Sequence, residues 1–231
     1  MPPPAHEPTH EPRIARVAAV LADPARSRML AHLLSGDFAT AGELARVASV
    51  GAATASGHLS KMLDAGLVLA EQRGRHRYFR LADADVAHAL ESLALVAERG
   101  LHEREWARPE RARLRQARCC YGHLAGALGV KLFQALLRDG CLLASADGFD
   151  LTPQGRQWLA SLGFTPSAPS PRRRYAYRCL DWSERRDHLA GQLADEMFSH
   201  FVAQGWLRRA RQRAVEMTPA GRQGLSRLDP T

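Results

Sequence analysis

The chain has little from which a membrane segment, a disulfide scaffold or a familiar active site is built. No apolar run approaches the ~18 residues of a membrane-spanning helix, so a hydrophobic content of 45% points to soluble cores and no membrane partner. No signal-peptide pattern opens the sequence, and MPPPAHEPTHEP is too proline-rich and charged to fold. Residues 1–12 are therefore expected to form a disordered tail, with His6 and His10 solvated. Four cysteines without spaced pairs indicate a reduced, cytoplasmic protein rather than a disulfide framework. There is no G-x-S-x-G, Walker loop, Rossmann glycine pattern or H-E-x-x-H, and Cys119-Cys120 is no C-x-x-C redox pair. These gaps argue against an enzyme. Lysine is scarce too: of 32 basic residues, only Lys61 and Lys131 are lysines. A net charge of +8 suits a polyanionic partner. The alanine and arginine richness reads partly as compositional bias, so the position of the charge matters more than its total.

What is present concentrates between Gly51 and Leu81, GAATASGHLSKMLDAGLVLAEQRGRHRYFRL. In a helix over Ala52 to Ala65, Ala55, Leu59 and Met62 fall at i, i+4 and i+7 and form the buried stripe. Thr54, Gly57, His58 and Lys61 then share the outer face, with Ser56 and Ser60 beside it. That face is small and polar and has no long acidic side chain. It can lie in a major groove with hydroxyl, imidazole and ammonium groups against base edges and phosphates. Gly66 supplies the left-handed position that stops the helix. A strand from Leu67 to Glu71 turns at Gly74 and returns as His76 to Leu81, leaving Arg73, Arg75, His76 and Arg77 at or beside an exposed tip. A recognition helix followed by a basic wing is the winged helix-turn-helix layout. The alternative is a winged helix used only for protein contacts.

The flanks fit the same layout. Thr40 to Glu43 is a capping box ahead of Leu44 and Val47, and Asp23-Pro24 reads as N-cap and N1 of a helix with Met29, Leu33 and Leu34 inward. An earlier helix carries Ile14, Val17, Ala18 and Leu21 on one stripe. After the wing, Asp83 caps a helix with Val86, Leu90, Leu93 and Ala97 on another.

Residues 13 to 98 resemble the ArsR/SmtB repressors through LADPARSRML, GELA, TASGHLSKMLDAGLV and RGRHRYFRL. The resemblance implies a homodimer paired through the first and last helices of the winged core and released from double-stranded operator DNA by an inducer. By position it implies that Thr54, Ser56, His58 and Lys61 contact DNA along with the wing residues. The helix run is most similar to the cadmium- and lead-sensing branch. None of the family's metal sites is intact here. Thr40, Ala41 and Gly42 stand where arsenic sensors carry C-x-C, and Lys61 and Ala65 stand where the cadmium branch has cysteines. Asp83 and Asp85 match half of the zinc pattern, while Val96 and Arg99 take the other positions.

The second half holds an internal repeat. His123-Leu-Ala-Gly126, Leu128, Phe133, Gly140 and Leu142 recur 65 residues later from His188, and Thr152-Pro153 with Gly155-Arg156-Gln157 recurs 66 later from Thr218. Each copy reads as a long helix ending at glycine, a hairpin, and a short helix opened by Thr-Pro. That is like the back half of a winged helix, and L-T-P-x-G-R resembles the post-wing segment of MarR-type regulators. The expected fold is mainly α with small β-hairpins. It comprises a winged helix over 13–106 and a two-repeat α+β effector domain over 107–231, with repeats at about 117–164 and 179–228 and a linker over 165–174. Arg172 to Arg174, Arg208, Arg209, Arg211 and Arg213 can reach phosphates or simply be solvated.

Cys119 and Cys120 precede His123 by four and three residues, so either can share its helical face. Cys179 lies ahead of His188. By the 65-residue offset Arg185 matches Cys120 and Leu114 matches Cys179, so the histidines are repeated and the thiols are not. That favours a packing or capping task for His123 and His188 and a special one for the cysteines. Thiolates suit Cd²⁺, Pb²⁺ or As(III), and Cys/His sets also suit Zn²⁺. Cys119, Cys120, His123 and Cys179 are thus candidate sensors of a soft divalent ion or a thiol-reactive agent, against the reading as buried filler. Cys141 reads as core. The alternative is an organic inducer in a pocket lined by Tyr121, Trp158, Tyr175, Tyr177, Trp182 or Trp206.

Overall fold

The computed structural model describes residues 14–100 and 103–226; the expected N-terminal tail, with His6 and His10, lies outside them. The first half runs α1 (Ile14–Leu21), α2 (Pro24–Leu33), β1 (Ala39–Thr40), α3 (Ala41–Ala48), α4 (Ala52–Asp64), β2 (Val68–Arg73), β3 (His76–Leu81) and α5 (Ala84–Ala97). Local chemistry sets these boundaries. The Asp23 carboxylate accepts from the N–H groups of Ala25 and Arg26 at 2.9 and 3.0 Å, with Pro24 at the first helical position. Thr40 and Glu43 cap α3 reciprocally. Strand β3 is the centre of a three-stranded sheet ordered β1-β3-β2, and the wing closes in two residues, with Arg73 opposite His76 and Gly74 at φ +59°. Met29, Leu44, Ala55, Leu59, Met62, Phe79 and Leu81 pack into one apolar core.

The two flanking helices differ in part from their expected stripes. On α1 it is Val17, Val20 and Leu21 that touch the core, while Ile14 is 69% exposed. On α5 the buried positions are Ala87 and Glu91, and Leu93 and Val96 are 50% and 53% exposed. Val86 and Leu90 pack on the winged core with Ala87 as the stripe requires, Glu91 turns to the second half of the chain, and Leu93 and Val96 are left outside.

The second half continues with α6 (Glu103–Trp106), α7 (Pro109–Gln116), β4 (Arg118–Cys120), β5 (His123–Ala125), α8 (Gly126–Arg138), β6 (Leu142–Ser145), β7 (Gly148–Leu151), α9 (Pro153–Ser161), β8 (Tyr177–Leu180), β9 (Asp187–Ala190), α10 (Gln192–Ala203), β10 (Leu207–Arg209), a 3-10 turn (Arg211–Arg213), β11 (Val215–Met217) and α11 (Pro219–Gly224). Thr152 and Thr218 cap α9 and α11, each with proline next. Both copies of helix, hairpin and short helix are present, and each is preceded by a hairpin that periodicity missed, β4–β5 or β8–β9. Strands of three or four residues are too short to show an alternation. One core serves both repeats: Leu132, Phe133 and Leu136 of α8 pack with Leu193, Met197, Phe198 and Phe201 of α10. No helix among the described residues is long and apolar enough to cross a membrane.

The halves are joined by specific contacts. The β4–β5 turn sits on the end of α2, where the Tyr121 N–H donates to the Leu34 carbonyl at 2.7 Å. A Cβ on Gly36 would stand 3.0 Å from the Gly122 nitrogen, so this approach needs a glycine. Arg209 pairs with Asp37 at 2.8 Å, and Arg213 with Glu91. Two of the arginines weighed as phosphate contacts are thus spent on holding the domains together.

A candidate nucleic-acid interface and a buried cysteine–histidine centre

On α4, Thr54, Ser56, Gly57, Ser60 and Lys61 are exposed, opposite the buried Ala55, Leu59 and Met62. At the wing Arg75, His76 and Arg77 are exposed, while Arg73 pairs with Glu71 at 3.0 Å and lies 3.8 Å over the Phe38 ring. His58 is placed differently from the outer-face expectation. Its side chain is 14% exposed, with Nδ1 3.2 Å from an Arg26 guanidinium nitrogen and Nε2 3.9 Å from Asp23. Arg26 in turn donates to the carbonyls of Val20 and Ala19. The ring therefore ties the recognition helix to the start of α2. Helical spacing alone could not foresee this, because the partner lies 32 residues away.

The sensor candidates are rearranged by the hairpins. Cys119, Cys120 and His123 do not share a helix face: they lie on β4 and β5, where Cys120 is directly opposite His123. Neighbouring strand residues point to opposite sides, and the Cys119 thiol turns away to donate to the Ser35 carbonyl at 3.1 Å. In the second repeat Cys179 is directly opposite His188. The thiols are therefore repeated after all. Eight residues separate Cys179 from His188 and two separate Cys120 from His123, and that difference hides the equivalence of Cys120 and Cys179 from a constant-offset comparison.

The two hairpins bring Cys120, His123, Cys179 and His188 together, with one ligand atom of each within 4.8 Å of the others and all four residues buried. Ala125, Ala190 and Tyr177 complete the wall. The imidazole rings are 5.2 Å apart. Each Nδ1 lies near a carboxylate, Asp195 at 3.4 Å for His123 and Asp181 at 3.2 Å for His188, although the His188 Nδ1 makes no hydrogen bond there, and each Nε2 is buried without a hydrogen-bond partner. A carboxylate behind each ring and an orphaned nitrogen in front of it is the arrangement found around metal-binding histidines. Close packing keeps it rigid: a Cβ on Gly129 would lie 2.4 Å from the Leu124 carbonyl oxygen and 3.5 Å from the His188 Cβ. A hydrogen bond to Cys179, then burial, pushes the Cys120 thiol up to about 12. Burial lowers His123, but Cys120 and Asp195 outweigh it and push its pKa up to about 10. Two thiols and two imidazoles can hold one divalent ion once their protons leave.

The repetition of His123 and His188 favours a packing task when only the sequence is considered, whereas the strand register sets each of them opposite a cysteine, so His188 joins the candidate donors. Of the six aromatics considered for a pocket, Tyr121 and Tyr177 line a cavity of about 620 Å³ between the halves. That cavity is also bordered by His123, Asp195, Arg173 and Arg209. Tyr175, Trp158 and Trp206 pack on the core, and Trp182 stacks on Trp106.

A helix-turn-helix domain profile matches residues 21–69. The chain is 38% identical over 213 residues to the uncharacterized HTH-type transcriptional regulator YdfF of Bacillus subtilis, covering 91% of this chain and 94% of that one. The HTH-type transcriptional regulator CmtR of Mycobacterium tuberculosis is 40% identical over 86 residues, 37% of this chain and 72% of CmtR. The NMR structure of the cadmium metal-sensor CmtR from Mycobacterium tuberculosis superposes with a TM-score of 0.32 at 38% identity, over 36% of this chain and 85% of that one. The similarity to YdfF runs through both halves, whereas that to CmtR covers only 86 residues.

Proposed function

The chain belongs to the ArsR family of winged helix-turn-helix transcriptional regulators, and from that premise we propose a dimeric repressor released from operator DNA by a soft or borderline divalent ion. The ion enters the Cys120–His123–Cys179–His188 centre. The observation that carries this reading is the set of four buried donors, drawn pairwise from two repeats, with both Nε2 atoms unpartnered. A filler role leaves those nitrogens desolvated without compensation, whereas an ion satisfies both. Two thiolates and two imidazoles suit Zn²⁺ and Cd²⁺. With Cys119 turned toward Ser35, the centre offers no third thiolate.

A metal is favoured over a thiol-reactive agent on electrostatic grounds. A Cys120 thiol pushed up to about 12 and shut away from water is a poor nucleophile. The same property speaks for a regulatory rather than an enzymatic role. Pairing through α1 and α5 is supported by the exposed Ile14, Leu93 and Val96. DNA contact is assigned to Thr54, Ser56 and Lys61 on α4 and to Arg75, His76 and Arg77 on the wing. Arg73 and His58 act through their intramolecular partners as positioning residues.

The cavity of about 620 Å³ favours a second reading, an organic inducer seated between the halves. One experiment separates the two. A labelled duplex, selected from a random pool by the metal-free protein, is titrated with Zn²⁺, Cd²⁺ and small organic acids. Release by a metal ion in the parent and its loss in the Cys120→Ser, Cys179→Ser double variant is the expected result. Unchanged release in the variant would move the sensor elsewhere. Release only by an organic acid would favour the cavity.

A further inference from the structure

We propose that Arg118 carries the state of the Cys/His centre to α5, by exchanging its grip between Asp181 and Glu91; the proposal rests on the metal reading above. Arg118 is wholly buried between two carboxylates from different parts of the chain. It contacts Asp181 at 3.1 Å and Glu91 at 3.2 Å. Asp181 lies 3.2 Å from the His188 Nδ1, and Glu91 sits on α5 with Arg213 as its second partner. His188, Asp181, Arg118 and Glu91 thus stand in sequence from the centre to α5, all of them buried.

Such a series has two arrangements available. His188 Nδ1 lies 3.2 Å from Asp181 without a hydrogen bond; were the Nε2 of this ring to hold a metal ion, its Nδ1–H would become a stronger donor toward that carboxylate. Asp181 already accepts from the Gly126 N–H at 2.7 Å and from Ser183 and Glu184. Extra demand from His188 is therefore met by loosening its hold on Arg118. The guanidinium then leans on Glu91, where low surrounding polarity makes a small change in distance count. The buried Nε of Arg118 has no partner, so its present position is not the one that satisfies every donor. Glu91 shares α5 with Leu93 and Val96, and a shift of this helix alters the spacing of paired recognition helices.

The full-length protein is tested by measuring DNA affinity with and without Zn²⁺, and Zn²⁺ affinity with and without DNA, since coupling is reciprocal. In the parent the two ratios should agree and exceed about tenfold. Glu91→Gln touches no metal ligand. It should keep Zn²⁺ affinity within about threefold and bring the coupling down to about twofold or less. Arg118→Lys keeps the charge but lacks the fork that holds two carboxylates, and should do the same. Full coupling in either folded variant would overturn the relay and leave the metal reading intact, with the Tyr177–His88 contact at 3.0 Å as the next route to α5. A parent that binds no Zn²⁺ or Cd²⁺ overturns both. A readout on the parent stands even if neither variant folds. Arg118 lies 4.6 Å over the Trp182 ring, so Zn²⁺ should change tryptophan emission, and Trp182→Phe should remove that change. No change in the parent means that Arg118 does not move.

Discussion

The two halves of the molecule treat polarity in opposite ways. The winged helix packs an apolar core and stands its hydroxyls, Lys61 and wing arginines outside. The C-terminal domain buries Arg118, Asp181, His123, His188 and four thiols. An outward face of short polar groups meets a partner too large to enter the protein. Donors beneath the surface meet only something the size of an ion, and must shed protons to do so. On the proposed reading, one half reads a surface and the other receives a small charge. Glu91 lies where the two join.

The largest expected effect tests the inner half. Cys179→Ser should lower Zn²⁺ and Cd²⁺ affinity by about a thousandfold or more, since a thiolate ligand is replaced by a hydroxyl that stays protonated. Competition against a chromophoric chelator measures this. Cys119→Ser should stay within about threefold of the parent, because that thiol faces Ser35. Equal losses for Cys119 and Cys179 would mean that the strands place the wrong thiol in the centre.

Binding should also depend steeply on pH. Cys120, pushed up to about 12, and His123, pushed up to about 10, both hold their protons at neutrality. An ion must displace them, and less work is needed as pH rises toward those values. Affinity should therefore climb about tenfold per pH unit for each proton, or about a hundredfold for the two, between about pH 6 and 8. Proton release into a weakly buffered indicator solution gives an independent count. A flat profile would show that these groups are already deprotonated in the apo protein.

Next comes the junction. Burial alone would raise Glu91, yet Arg213 and Arg118 hold its pKa down to about 2. A carboxylate with a depressed folded-state pKa contributes stability above its unfolded value, about 4.5, and loses it as pH falls toward 2. Glu91→Gln should cost about 3 kcal/mol in urea unfolding at neutral pH, as for removal of one partner from a buried ion pair. That deficit should shrink under acid. Glu71, paired with Arg73 on the exposed wing, is the counter-case, and Glu71→Gln should leave stability nearly unchanged.

The same contrast governs what the sequence reveals. The winged helix is legible because its signals are local: Asp23 before Pro24, Thr40 three residues from Glu43, and glycines at positions 66 and 74 with positive φ. The pairs Cys120–His123 and Cys179–His188 are products of strand pairing, and the unequal loops shift one hairpin against the other. Tyr121 and Gly122, both at positive φ, form the tight turn between Cys120 and His123. Reading C-Y-G-H as a two-residue hairpin rather than a helical turn would have separated Cys119 from Cys120. Glu91, Arg118 and Asp181 are far apart in sequence, and nothing local marks any of them for burial.

The smallest effects belong to the outer half, and they separate reading from gripping. Arg75 sits at the wing tip, exposed and beyond the sheet, where phosphates of either strand are within reach. Arg75→Ala should weaken selected and random duplexes alike and lower the slope of log affinity against log salt by about one. Thr54 is exposed on the first turns of α4, so Thr54→Ala should weaken the selected duplex and leave the random one nearly unaffected. His58 distinguishes the structure from the simpler helical-wheel argument. If its ring read a base, His58→Ala would behave like Thr54→Ala. Because the ring instead bridges Arg26 and Asp23, its loss should loosen α4 against α2 and weaken both duplexes by a similar factor. The salt slope should not change, since no phosphate contact is removed. A selective loss confined to the chosen duplex would return His58 to the groove and show that its ring leaves Arg26 when DNA binds.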